Sequence, residues 1–301
     1  MTDFTPEGRH IETAENARYL ADSPGMQEAI RTGVILEAPA IRFISGSRTL
    51  IVQLPCGIGE IPFDEGTDLP DARDIALISR VGKPVAFQVL EQTGEGRYRL
   101  SRRAAMHRCR LQYADRLRPG DIIPGTVTHI ERFGCFIDIG CGVTALLPTD
   151  SLCYSHIRHP ADLLHEGQHI FAVVRARDLC GRLVLSHKEL LGTFEENAAQ
   201  FAPFDSAVGV VRSVKSYGVF IGLAPNLTGL SEYREELAAG DAVSVTIKSI
   251  VPEKLKIKLA VISRIEPPPR PPLPYRLTHG HIDRFTYTPP GCEKTIETLF
   301  I

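Results

Sequence analysis

The chain has 301 residues, 43% of them hydrophobic, and a formal net charge of −2 at neutral pH. That length and apolar content support two or three domains with real cores. The slightly acidic balance excludes attraction to phosphate through overall charge, so any nucleic-acid role has to come from local patches, and with no tryptophan any stacking has to use phenylalanine or tyrosine.

From the N-terminus, MTDFTPEGRHIETAENARYL has no basic segment followed by an apolar core, and no later run approaches the roughly 18 unbroken apolar residues of a membrane span. A cytoplasmic chain with no membrane partner is expected. Ser23-Pro24 reads as a helix cap and first position and Thr32-Gly33 as the stop, making MQEAIR a short helix at the end of an N-terminal segment, 1–33. The seven cysteines, Cys56, Cys109, Cys135, Cys141, Cys153, Cys180 and Cys292, are odd in number and never spaced CxxC. Neither a disulfide framework nor a zinc knuckle is expected.

The chain then repeats itself. Gly82 to Arg103, GKPVAFQVLEQTGEGRYRLSRR, aligns without a gap on Gly167 to Lys188, GQHIFAVVRARDLCGRLVLSHK. GTVTHIERFGCF, Gly125 to Phe136, aligns likewise on GVVRSVKSYGVF, Gly209 to Phe220. Both overlays give a period of about 85 residues, enough for a complete small barrel and a connecting helix. In the middle repeat, β-branched alternating segments place strands near Ile122 to Ile130, Gly134 to Ile139, Val143 to Leu147, His169 to Asp178 and Arg182 to Lys188. Five such strands make the partly open Greek-key barrel called the OB-fold.

The expected architecture is therefore mainly β: three tandem five-stranded OB-fold barrels joined by short helices, with a proline-rich linker and a C-terminal tail. The barrels occupy 34–103, 119–188 and 204–263. MHRCRLQYADRL, within 104–118, and KELLGTFEENAAQF, Lys188 to Phe201 and assigned to the segment 189–203, read as linker helices. The PPPRPPLP run in 264–301 reads as a stiff extended spacer.

In GCFIDIG, alternation puts Cys135, Ile137 and Ile139 in the core and Phe136 with Asp138 on the other face, near solvent. In the third repeat Val219, Ile221 and Leu223 face in, and Phe220 with Gly222 faces out. Phe133 and Tyr217, each three residues earlier, can supply a second stacking ring for unpaired bases. Cations accompany them. Arg175 and Arg177 lie on one side of the fourth strand of repeat two, with Asp178 and Arg182 at the following turn. In repeat three Arg212 and Lys215 lie on the first strand, and KLKIKL alternates Lys254, Lys256 and Lys258 with apolar residues. Such side chains can contact phosphate, and Arg182 can also stack.

GTVTHIERFGCFIDIGCGVTALLPTDSL and RARDLCGRLVLSHKEL resemble the RNA-binding OB repeat named after the bacterial ribosomal protein S-one. The resemblance implies a base-binding face at Phe133, Phe136, Asp178 and Arg182. Pro148 stands where many members carry histidine, which removes one base contact. Repeat three keeps Tyr217, Gly218 and Phe220 but has Val251 or Pro252 in place of the aspartate and Lys256 in place of the arginine. Repeat one keeps Gly82, Gly96-Arg97 and Leu100-Ser101 but has Arg48 and Ile51 at the aromatic positions, so it resembles a repeat used for architecture or protein contact.

Non-catalytic binding of single-stranded RNA in translation or RNA metabolism is the expected function, with mRNA, the ribosome or RNA-processing proteins as partners and no cofactor. An adaptor docked by protein contacts is the alternative. His279, His281 and Cys292 are the residues that would have to bind zinc in an enzymatic reading, but no phosphate loop, HExxH or nucleophile elbow accompanies them, and no metal site is expected.

Overall fold

The computed structural model describes residues 4–68, 73–269 and 272–301; residues 1–3 of the N-terminal segment, 69–72 of repeat one and 270–271 of the expected proline spacer lie outside the described residues. Three closed five-stranded barrels carry most of the chain. The first uses β1 (Leu36–Ile44), β2 (Thr49–Leu54), β3 (Gly57–Pro62), β4 (Pro84–Gly94) and β5 (Arg97–Ser101). The second uses β6 (Ile122–Glu131), β7 (Gly134–Gly140), β8 (Val143–Pro148), β9 (His169–Arg177) and β10 (Leu183–Ser186). The third uses β11 (Ser206–Lys215), β12 (Gly218–Ala224), β13 (Leu227–Ser231), β14 (Ala242–Val251) and β15 (Lys256–Ile265). Each closes in the same circular order, first, second, third, fifth, fourth, with the third and fifth strands parallel. This is the OB-fold arrangement expected from the repeats.

By contact density the chain forms two compact units: 1–117 with 124–126 and 137–145, and 118–123 with 127–136 and 146–301. In the first, α1 (Ala14–Leu20) and α2 (Ser23–Thr32) precede the barrel, α3 (Ile75–Ile78) lies between β3 and β4, and α4 (Arg102–Gln112) follows β5. Met26 and Ala29 of α2 join Leu36, Leu50, Phe87 and Tyr98 in one core. Asp22, not Ser23, caps α2: its carboxylate accepts the Gly25 N–H at 2.8 Å, which moves Pro24 to the second helical position. Gly33 ends the helix at φ 64°, as expected. The first linker helix begins at Arg102, four residues before the expected start, because the hydroxyl of Ser101 caps it by accepting the Ala104 N–H.

Asp138 is not near solvent. Alternation does put it on the outer face of β7, but residues 4–8 cover that face, and it is 2% exposed. Its Oδ2 accepts the Glu7 N–H at 2.7 Å, its Oδ1 accepts the Gly140 and Gly142 N–H groups, and the Cys141 N–H donates to the Thr5 carbonyl. The Glu7 carboxylate meets Arg102 at 2.8 Å and Arg80 at 3.1 Å. Burial alone would raise the Glu7 carboxyl, but the two guanidiniums outweigh it and hold it below the ordinary glutamate range. Glu37 accepts the Gly8 and His10 N–H groups without an ion pair among the described residues, and burial pushes it up to about 7. Burial, with Glu7 nearby, pushes Asp138 up to about 6.

In the second unit the linker after β10 is not one helix. Lys188–Leu191 forms a 3-10 turn, Gly192 breaks it at φ 85°, and Thr193 restarts the chain as α5 (Phe194–Ala198) through a capping box with Glu196. The Gly-Thr-x-x-Glu spacing is itself a helix-start signal. Lys254 does not lie on β15. It belongs to a 3-10 turn at Pro252–Lys254, closed by Leu255 at φ 52°, which takes the left-handed place held by Gly96 and Gly181 in the other two barrels.

The C-terminal tail packs closely against the rest of this unit. The Tyr275 hydroxyl accepts the Phe171 N–H and bonds Nε2 of buried His187 at 2.9 Å. Nδ1 of His187 faces the Leu152 carbonyl, which only accepts, so Nδ1 carries the proton and Nε2 accepts from the tyrosine. Burial holds this imidazole down at about 4, and it stays neutral. Tyr287 stacks on Tyr154 at 4.0 Å and donates to the Asn226 carbonyl at 2.6 Å. The short strands β16 (Arg284–Thr286) and β17 (Glu297–Leu299) pair, and Phe300 is buried with Ile122, Val173 and Leu190.

Glu37 and Asp138 bind protons more tightly folded than unfolded, so their stabilising contribution is complete below their unfolded values and is lost as pH rises through about 6 and about 7. Thermal unfolding should accordingly shift to lower temperature between about pH 5.5 and about pH 8. Glu37→Gln should flatten the upper part of that decline, and an unchanged slope in the variant would contradict the assignment.

Candidate nucleic-acid interface

Inside the middle barrel Cys135, Ile137 and Ile139 are fully buried, which turns Phe136 outward. Phe133 stands at the tip of the β6–β7 hairpin, 59% exposed, its ring edge-on to Phe136 with centroids 6.0 Å apart at 90°. The tip is pinned from the end of β8: the Thr149 N–H donates to the Phe133 carbonyl at 3.0 Å and its hydroxyl to the Arg132 carbonyl at 2.9 Å. Gly134 makes this approach possible, since a Cβ there would lie 2.5 Å from the Leu147 carbonyl oxygen.

The third barrel repeats the arrangement. Val219 and Ile221 are buried, Leu223 is only half-buried, and Phe220 is turned out. Tyr217 is 68% exposed and edge-on to Phe220, again at 6.0 Å and 90°. A Cβ on Gly218 would meet the Ser231 carbonyl at 2.5 Å, so the second hairpin carries the same constraint. Across the outer sheet Phe220 pairs with Leu230, Leu230 with Lys258, and Lys258 with Ser249. Lys258 is thus in the cross-strand row of Phe220, and Lys256, two residues earlier and exposed, shares its face.

The other candidate cations divide. Asp178 builds the β9–β10 turn: Oδ1 accepts the Cys180 and Arg182 N–H groups and Oδ2 receives Arg182 Nε at 2.7 Å. Those bonds, the Arg182 N–H foremost, hold its carboxyl below the usual aspartate range and present Arg182 on an exposed turn. Arg177 pairs across the ladder with buried Leu183, which puts it on the face opposite Val184. Arg175 is drawn to the Ser151 hydroxyl at 3.1 Å. Arg212 is half-buried along Gly222, its Nε without a hydrogen-bond partner, and Lys215 is exposed at the end of β11. In the first barrel Arg48 is engaged inside its own fold, 3.6 Å above the Phe63 ring and paired with Asp74 at 2.6 Å, and Ile51 is buried. It presents no aromatic pair at these two positions.

One neighbour of the ring pair has no counterpart in the sequence reading. His129 stacks on Phe136 at 6.4 Å and 21°, and its two nitrogens face Glu166 at 2.9 Å and Glu131 at 3.0 Å. An imidazole near the end of a strand that leads to an aromatic hairpin was a usable signal. Glu166, 37 residues away, was not. The three residues of the zinc reading each have another partner: His279 faces the Thr278 hydroxyl, His281 faces Asp121 and Asp283, and Cys292 donates to the Glu253 carbonyl.

Residues 116–188 match the S1 RNA binding domain family. The middle barrel is an S1-type domain. The chain is 32% identical over 206 residues to small ribosomal subunit protein bS1 of Leuconostoc lactis, covering 62% of this chain and 48% of that protein. It is 28% identical over 274 residues to bS1 of Staphylococcus aureus, covering 84% and 66%. The chain thus spans between about half and two thirds of the length of these relatives. A solved multidomain protein with nucleic acid binding domains from Streptococcus pneumoniae overlays with a TM-score of 0.26 at 15% identity, over 78% of this chain and 75% of the other, too loosely to bear on the fold. Among the described residues no helix is long and apolar enough to cross a membrane.

Gly134→Ala in the S1 barrel should force β7 away from the end of β8 and cost roughly 1–3 kcal/mol, as overpacking does. Chemical denaturation would show the loss, and an unchanged midpoint would mean that the hairpin is not held as described.

Proposed function

We propose that this chain binds single-stranded RNA non-catalytically, in translation, through the aromatic hairpins of its second and third barrels. The observation that carries the reading is the recurrence of one device at two places: an exposed ring edge-on to a half-buried ring, in the same geometry, on hairpins that share a glycine constraint. Exposed aromatic carbon has no packing role at a hairpin tip, whereas a base stacked there contributes on the order of 1–3 kcal/mol whatever its identity. The S1 match and the ribosomal relatives support RNA as the ligand and the cytoplasmic ribosome as the setting.

Within this reading Arg182, Lys215, Lys256 and Lys258 meet phosphates, with Arg175, Arg177, Arg212 and Lys254 as secondary cations and Asp178 holding Arg182 in place. Several weak sites on one chain multiply affinity by effective concentration, so no single barrel has to bind tightly. The first barrel, with Arg48 and Ile51 withdrawn, serves architecture or protein contact.

Fluorescence anisotropy with labelled single-stranded RNA tests this. The variant Phe133→Ala, Phe136→Ala, Tyr217→Ala, Phe220→Ala should keep its circular dichroism spectrum and lose affinity by roughly a hundredfold or more. Equal binding by variant and wild type would remove the stacking account, and no binding by wild type at low salt would leave the protein-adaptor reading in its place.

A further inference from the structure

The two aromatic hairpins set their ring pairs in the same geometry but have opposite rims. The gapless overlay of Gly125–Phe136 on Gly209–Phe220 sets His129 on Ser213 and Glu131 on Lys215. A second anchor fixes the rest of the frame: Gly167 and Gly240, both left-handed, donate their N–H groups to the carbonyls of Val127 and Val211, which the overlay also sets together. The residue before each is Glu166 in the middle barrel and Ala239 in the third. At three matched positions one barrel therefore has histidine, glutamate and glutamate, and the other serine, lysine and alanine.

We propose that His129 is an RNA-contacting residue, the third ring of the middle barrel's stacking strip, and that its protonation decides whether this strip accepts a polyanion, while the third barrel binds as a pH-independent phosphate anchor. The inference rests on the RNA-binding reading above. The groups facing the imidazole are Glu131 from its own strand, Glu166 from the connection into β9, and the uncharged Phe136 ring from β7; His165, beside Glu166, is turned to the Glu166 carbonyl at 3.0 Å. With His129 protonated the rim carries one net negative charge from these three residues, and with it neutral, two. Phosphate approaching the Phe133–Phe136 pair is repelled less in the first state. The Glu131 and Glu166 hydrogen bonds favour the imidazolium and raise its titration above the ordinary histidine range. Bound RNA raises it further, so binding takes up a proton and affinity falls as pH rises through that range. In the third barrel a serine and a lysine stand at the matched positions in place of the imidazole and its glutamate, and the attraction there responds to salt.

The test is anisotropy with labelled oligoadenylate at low salt, at about pH 6 and about pH 8.5, for wild type, His129→Phe, which keeps a ring and loses the proton, and Glu131→Lys, which installs the third barrel's residue. Wild-type affinity should fall about threefold to tenfold across that interval, His129→Phe should be flat, and Glu131→Lys should bind more tightly at the higher pH, with its log affinity against log salt steeper by about 0.7. Equal pH dependence in wild type and His129→Phe, or no gain from Glu131→Lys, overturns the proposal while the RNA-binding reading stands. If wild type binds at neither pH, the RNA-binding reading fails first and this inference with it.

Discussion

Strand alternation in a barrel whose interior must be filled is the constraint on which the rest depends. A five-stranded barrel has room only for apolar side chains inside, and once Cys135, Ile137 and Ile139, or Val219 and Ile221, occupy it, the aromatic between them has to leave through the outer face. The glycine that opens each second strand then lets it approach the end of the third strand closely enough for backbone bonds to set the hairpin tip, and the tip carries the second ring. Packing thus dictates the position of rings that stay partly or largely exposed. The first barrel satisfies the same interior rule with a different outer face: Ile51 is buried and Arg48 is spent on Phe63 and Asp74.

What could be read from the sequence follows from the range of the interaction involved. The strands of the middle repeat fall within a few residues of their expected bounds, because a two-residue period is local information, and Phe133, Phe136, Tyr217 and Phe220 lie where alternation and the repeat put them. Asp138 was misplaced because its cover comes from residues 131 positions away, which no pattern in GCFIDIG announces. Lys254 was misplaced because Leu255 adopts a left-handed conformation that the sequence reserves for glycine in the other barrels. The tail gave no periodic signal at all, yet single contacts of Tyr275, Tyr287 and Phe300 hold it to the second unit.

The near-neutral composition conceals an uneven distribution of charge. Five of the eight lysines lie between positions 215 and 258, in the third barrel. Four arginines of the first unit are instead paired, Arg102 and Arg80 with Glu7, Arg103 with Glu65, and Arg110 with Asp68. A net charge of −2 is therefore compatible with a locally cationic outer sheet, and it limits non-specific attraction elsewhere on the molecule.

The most direct test of the central claim is to irradiate the protein bound to photoreactive single-stranded RNA and locate the crosslinked peptides by mass spectrometry. Crosslinks concentrated on the hairpins that hold Phe133 with Phe136 and Tyr217 with Phe220 are predicted. Crosslinks confined to the first barrel, or to the tail, would contradict the account.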